Sequence, residues 1–156
     1  MSAIKTRPAT LEDLPILLEF EQGIITFERP FDPTLAERHI TYYDLAAYVQ
    51  VEDIEVLVAL DGKELIGSGY VQIREGKPYQ SHVKYGYIGF VFVRPEHRGK
   101  GVVSKIMSDL TDWAKAKGIT EIRLDVYSDN DSAIRAYEKA GFSKLLTEMR
   151  VDLNKQ

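Results

Sequence analysis

Val91-Phe92-Val93-Arg94-Pro95-Glu96-His97-Arg98-Gly99-Lys100-Gly101-Val102-Val103-Ser104-Lys105-Ile106-Met107 is the stretch on which the fold turns. An apolar strand pattern runs through a basic, glycine-bearing turn into an amphipathic helix pattern. Gly99 and Gly101 let the backbone turn tightly with its N–H groups directed inward, where a side chain would obstruct a ligand. The helix that begins at Val102-Val103-Ser104-Lys105 adds its own unpaired amides and roughly half a positive charge from its macrodipole. Together these features fit either a plain strand-to-helix loop or a binding place for a phosphate-type anion.

A second run lies downstream, Asn130-Asp131-Ser132-Ala133-Ile134-Arg135-Ala136-Tyr137-Glu138-Lys139-Ala140-Gly141-Phe142. On a helix, Asn130, Ala133 and Tyr137 fall at i, i+3 and i+7, so one face presents an amide, a small gap and a phenol. The upstream order, Arg98-Gly99-Lys100-Gly101-Val102 after Val93, Pro95 and Glu96, resembles the pyrophosphate loop of the GNAT superfamily of acyl-CoA-dependent N-acyltransferases, written Q/R-x-x-G-x-G/A. The sixth position, Gly or Ala in that pattern, is Val103 here.

The resemblance implies a single domain over residues 1–156, mixed α/β, with a central, mostly antiparallel, splayed sheet and helices on both faces. It implies acetyl-CoA as co-substrate. Backbone groups of Val91, Phe92 and Val93 would meet the pantetheine arm as an added strand meets a sheet edge. Arg98 and Lys100 would flank the pyrophosphate, with Gly99, Gly101, Val102 and Val103 forming its cradle. Asn130 would hydrogen-bond the pantetheine, Ala133 would leave it room, and Tyr137 would protonate the departing thiolate. The first two helices and their connection wall the acceptor pocket in that superfamily, which points to Glu28, Arg29 and Tyr42 as acceptor contacts.

The chain has 156 residues, enough for one self-sufficient core. It contains no cysteine, which excludes disulfides, thiolate metal ligands and a cysteine acyl-enzyme, and which suits a cytoplasmic setting. Neither a secretory leader nor a membrane span is expected from the apolar runs. A net charge of −4 argues against a general nucleic-acid surface. Residues 1–80 carry 7 Lys and Arg against 14 Asp and Glu, and residues 81–156 carry 13 against 10. Two readings stay open: ordinary solvated faces, or a cationic acceptor drawn to the first half and a polyanionic cofactor held by the second.

In chain order, Ile4 to Pro8 reads as an edge strand, and Thr10 with Asp13 forms a capping-box pattern before a helix. Leu11, Leu14, Leu18 and Ile25 follow helical spacing, and Glu21 falls on the same stripe. The prolines at 30 and 33 end that helix. Asp32 or Thr34 caps a second helix carrying Leu35, Ile40, Tyr43, Leu45 and Tyr48. Ile54 to Leu60 and Glu64 to Arg74 read as strands joined through Asp61-Gly62, a hairpin signal. Lys84 to Val93 is the next strand and contains no carboxylate. Val102, Ile106, Leu110, Trp113 and Ala114 mark a helix ended by Gly118. Ile119 to Val126 reads as a strand, Ser128 or Asp129 as the cap of a shorter helix closed by Gly141, and Thr147 to Leu153 as a final half-buried strand.

The implied reaction is direct transfer of an acetyl group to a primary amine of a small molecule or of a peptide or protein N-terminus, with both substrates bound together. An amine attacks only when neutral, which at pH 7 costs about 4.6 kcal/mol for a lysine-like amine and about 1.4 kcal/mol for an α-amine. With no carboxylate on the central strand, Glu21 or Glu28, acting through a water, is the candidate base. His39, His82 and His97 show no metal-ligand spacing, and no metal is expected. A homodimer is compatible with the sequence. Two rivals remain: a nucleotide-binding module, disfavoured by the turn's late position, and a CoA-binding sensor on the same fold.

Overall fold

The Asp61-Gly62 turn reverses the chain as expected, with Gly62 at φ 62°. It joins β2 (Ile54–Asp61) to β3 (Glu64–Glu75), and β1 (Ile4–Pro8) pairs antiparallel to the outer side of β2. β4 (Lys84–Val93) pairs antiparallel with β3, and β5 (Ile122–Arg123) lies parallel to β4. The sheet order is β1-β2-β3-β4-β5, mostly antiparallel with one parallel edge. The computed structural model describes residues 3–155, so Met1, Ser2 and Gln156, which the single-domain expectation includes, lie outside the described residues. Met1–Asp125 and Val126–Gln156 form two compact units.

In the first unit, α1 (Leu14–Glu28) and α3 (Val102–Ala116) pack against the sheet, with the short α2 (Leu45–Tyr48) between α1 and β2 in the chain. Alternation along the strands gives each helix its own face. Leu17, Phe20 and Ile24 of α1 share a core with Val56, Val58, Tyr70 and Phe90. On the α3 face, Gly67, Gly69 and Gly86 make room for Ile106, Leu110 and Ala114. Each fully buried side chain of this size contributes about 1.5–3 kcal/mol. Among the described residues no helix is long and apolar enough to cross a membrane.

The structure corrects four sequence-based expectations. The inward face of α1 is Leu17, Phe20, Glu21, Ile24 and Ile25, whereas Leu11 and Leu18 are exposed. The first turn, Leu11–Asp13, is a 3-10 helix, which shifts the angular phase of the stripe. Residues 32–44 form turns and irregular chain instead of a second helix, and only Leu45–Tyr48 is helical, capped by Asp44. The strand expected from Ile119 to Val126 is reduced to Ile122–Arg123. In the second unit, α4 (Asp131–Lys139) forms as expected, but Thr147 to Leu153 is not a strand, and Met149, Val151 and Leu153 are exposed. Residues 126–155 contain no strand to pair with, and alternation alone does not make one.

A Cβ at Gly69 would sit 2.8 Å from Ile106 Cγ2 and 3.2 Å from Leu110 Cδ1. Gly69→Val is therefore expected to destabilise the protein by about 1–3 kcal/mol through overpacking. The change should lower the urea midpoint with an unaltered slope.

Candidate functional site

β4 leaves its parallel partner early. Only Gly86 and Tyr87 pair with Ile122 and Arg123, while β4 runs on to Val93. The Tyr87 hydroxyl still donates to Asp125 Oδ2 at 3.0 Å, but from Ile88 onward β5 offers this edge no ladder. On the other side, Ser68 pairs with Phe92 and Tyr70 with Gly89, so Phe90 and Val91 together oppose the single residue Gly69. This is a β-bulge, and it bends the strand. Phe90 takes φ 59°, a strained value for a residue with a side chain. The buried Ser68 hydroxyl donates to its carbonyl at 3.0 Å.

Beyond Val93 the chain enters the basic turn. The Arg94 N–H donates to Ile66 O at 2.8 Å and its Nε to Leu65 O at 2.9 Å, which ties the turn to β3. Arg98 Nε donates to Val93 O at 3.1 Å. Gly99 and Gly101 both occupy the left-handed region, at φ 75° and 82°, and a Cβ at either would meet nothing within 4 Å. These glycines serve conformation, and the space beside them stays open. Val102 is buried, anchoring the first turn of α3, whose leading amides have no intrahelical acceptor. Val103 is half-buried and Lys100 exposed. The unpaired β4 edge, the glycine turn and the helix start fit an extended ligand ending in phosphates. Val91, Phe92, Val93, Arg98, Gly99, Lys100, Gly101, Val102 and Val103 are thus contiguous in space as in sequence.

His97 faces away from that cradle, toward the β2–β3 turn, with Nδ1 3.9 Å from Asp61 Oδ2 and Nε2 3.7 Å from Glu64 Oε1. Ligand-type atoms of Glu64, Glu96 and His97 lie within 4.8 Å of one another, the one group among the described residues with the proximity to hold a metal ion.

On the α1 side, Glu21 is fully buried, and its Oε2 accepts the N–H groups of Tyr42 at 2.8 Å and Tyr43 at 2.9 Å. Its other oxygen, Oε1, is buried with no hydrogen-bond partner. Glu28 is half-buried, and burial pushes its carboxyl above the ordinary value, opposed by the nearby Tyr42 side chain. Arg29 donates to Ala36 O at 2.8 Å and Arg38 O at 3.2 Å, so its guanidinium holds the chain of the 32–44 segment. Glu28 and Tyr42 are therefore brought together, whereas Arg29 is engaged with backbone. Tyr43 packs edge-on to Tyr70 and Phe90, with ring centroids 5.4 and 5.6 Å apart. Burial raises the Tyr43 phenol well above its usual range and pushes Tyr70 up to about 12. Ser68, Phe90 and Tyr43 escape sequence reasoning as site-shaping residues. The signal available was Gly67-Ser68-Gly69 inside a strand, since glycine there marks bulges and close approach.

In the second unit, Asn130, Ala133 and Tyr137 are half-buried while Asp131, Ser132, Arg135, Ala136 and Glu138 are exposed, so the three do share one face of α4. Asn130, not Ser128 or Asp129, is the N-cap: its Oδ1 accepts the Ala133 N–H at 3.3 Å. An Asn cap leaves the side-chain amide N–H groups available to donate elsewhere. Tyr137 packs on Phe142, centroids 6.0 Å apart, and Gly141 at φ 103° closes the helix.

Residues 22–142 match the model of the Acetyltransferase (GNAT) family. The chain belongs to the GNAT acetyltransferase family. It is 32% identical to N-alpha-acetyltransferase 30 of Schizosaccharomyces pombe over 97 residues, covering 62% of this chain and 63% of that protein. A match to a Bacillus subtilis relative covers 54% of this chain and 31% of that protein, so the chain spans less than two thirds of either. Among solved structures, the BH1408 protein of Bacillus halodurans superposes with a TM-score of 0.86 at 23% identity, covering 96% of this chain and 99% of that one. A Clostridium acetobutylicum predicted acetyltransferase, solved with acetyl-CoA, superposes with a TM-score of 0.74 at 18% identity over 99% of both chains. These likenesses establish the GNAT fold.

Asn130→Asp keeps the cap and removes the amide donor, whereas Asn130→Ala removes both. The Ala variant is expected to cost about 1 kcal/mol of stability and the Asp variant far less. Thermal midpoints compared with acetyl-CoA affinities separate the cap from any ligand contact.

Proposed function

We propose that this protein transfers an acetyl group from acetyl-CoA to the neutral form of a primary amine, both substrates bound together, with Met1–Asp125 and Val126–Gln156 acting as one domain. The observation that carries the reading is the unpaired edge of β4 running into the left-handed Gly99 and Gly101 turn at the start of α3. Family membership supports it, and the family match crosses the boundary between the two units.

Edge groups of Val91, Phe92 and Val93 pair with the pantetheine amides, and the amides of Gly99, Gly101, Val102 and Val103, flanked by Arg98 and Lys100, receive the pyrophosphate. Asn130 donates from its side-chain amide, and Ala133 leaves room beside it. The amine nitrogen attacks the acetyl carbonyl carbon, the carbon–sulfur bond breaks, and Tyr137 gives its phenolic proton to the departing sulfur. The proton that the attacking nitrogen sheds goes to Glu28, directly or through a water. Glu28 suits this role because it is half-buried, lies beside Tyr42 and has its carboxyl raised by burial. Glu21, enclosed and accepting two backbone N–H groups on one oxygen, suits it less. We assign the acceptor as an α-amine, in a small molecule or at a peptide N-terminus. Its deprotonation costs about 3 kcal/mol less than that of a lysine-like amine at pH 7, and a relative is named as an N-alpha-acetyltransferase.

The test is CoA release by the purified protein with acetyl-CoA and a panel of α-amines and ε-amines. Turnover with α-amines is expected. Stabilisation by acetyl-CoA with no acetylation of any amine would instead favour a CoA-binding sensor. Tyr137→Phe should lower kcat by about a hundredfold or more while acetyl-CoA affinity stays near wild type; loss of affinity and stability together would make Tyr137 a packing residue. Below its raised pKa, Glu28 is protonated and cannot take a proton. The acidic limb of kcat/KM should therefore lie above the ordinary value of about 4.3 and disappear in Glu28→Gln.

A further inference from the structure

The segment 32–44 has no helix or strand, yet its backbone is held by three side chains from α1 and the turn that follows it. Gln22 Nε2 donates to Ile40 O at 2.8 Å, Arg29 donates to Ala36 O and Arg38 O, and Glu21 Oε2 accepts from Tyr42 and Tyr43. Of these side chains, Glu21 is the one that is fully buried. It also reaches both tyrosines that the site uses. The Tyr42 phenol lies beside the Glu28 carboxyl, and the Tyr43 ring packs edge-on to the Phe90 ring.

From this geometry we infer that Glu21 is a positioning residue: through the successive amides of Tyr42 and Tyr43 it sets the acceptor wall in fixed relation to the β4 bulge. The inference rests on the acetyl-transfer reading above and deepens it. Two successive N–H groups converging on one carboxylate oxygen fix the backbone at 42 and 43. Those residues in turn set the Tyr42 phenol beside Glu28 and the Tyr43 ring against Phe90 at the bulge. The bulge has a second, independent hold, the Ser68 hydroxyl on Phe90 O, and the β3–β4 ladder flanks it on both sides. Loss of Glu21 should therefore loosen the acceptor wall and leave the cofactor edge in place. The buried, unpartnered Oε1 makes glutamine the informative replacement, because its carbonyl oxygen can take over both N–H bonds without a charge.

Glu21→Ala and Glu21→Gln are compared by steady-state kinetics with the best amine of the panel, and by limited proteolysis of the 32–44 segment with and without acetyl-CoA. The alanine variant is expected to raise the KM for the amine about tenfold or more, leave the KM for acetyl-CoA within about twofold, and speed cleavage within 32–44. The glutamine variant is expected to restore both readouts close to wild type with an unchanged pH profile. Equal loss of kcat in both variants, with the acidic limb of the pH profile gone, would overturn the inference by making Glu21 the base. Wild-type proteolysis and amine KM in the alanine variant, with only a lowered thermal midpoint, would overturn it by reducing Glu21 to packing. Proteolysis reads the 32–44 segment whether or not any amine is acetylated. Failure of the acetyl-transfer reading thus shows as an inactive wild type, and failure of this inference as an unaltered cleavage rate.

Discussion

The parting of β4 from β5 after two residue pairs is the constraint on which the rest of the site depends. A strand edge with free donors and acceptors is normally a hazard, an invitation to pair with another chain. Here the edge is followed by a turn of positive-φ glycines and the start of a helix, which suits it to the extended, anion-ended co-substrate proposed above. The bulge at Phe90 sharpens the departure by bending β4 on the side where β3 still holds it. The local strain is held by the buried Ser68 on the carbonyl and by the half-buried Tyr43 against the ring.

Much of this was legible in the chain. β1 and β4 run over the residues that propensity and alternation give, and Asp61-Gly62 marks the hairpin because only residues tolerant of positive φ turn so tightly. The glycine turn is legible for the same reason. Irregular structure was not. The 32–44 segment carries apolar residues at helical intervals, but Pro30 precedes it, Pro33 lies within it, and its amides and carbonyls find the side chains of Gln22, Arg29 and Glu21 as partners, which removes the need for a helix of its own. The Thr147 to Leu153 alternation predicts a strand only if a partner edge is at hand, and the second unit supplies none.

The site residues divide along the same line. Those in the turn could be proposed from the chain alone because their chemistry would be that of the backbone, which glycine positions announce. Glu21 stood out as a carboxylate on an apolar stripe with Ile25, and its burial agrees, though its neighbours on that stripe were misplaced by the 3-10 first turn. Phe90 gave no sign of its left-handed backbone, because a bulge is fixed by the register of two strands and neither sequence alone carries that count. Asn130 was placed on the correct face of α4, but its capping role was assigned to its neighbours, since Ser, Asp and Asn in succession are equivalent by propensity.

Gly67 has a wider consequence. A Cβ there would lie 2.7 Å from Phe92 O and 3.5 Å from Val102 Cγ1, at the very start of α3. The close clash is with the β4 carbonyl, while Val102 lies at ordinary contact distance, so a methyl group some thirty-five residues earlier in the chain would press on β4 before it displaced the helix. Both sides of the glycine turn, the end of β4 and the start of α3, thus rest on a residue that has no side chain. Variation at Gly67 would shift the two sides against each other without altering a single residue of the turn.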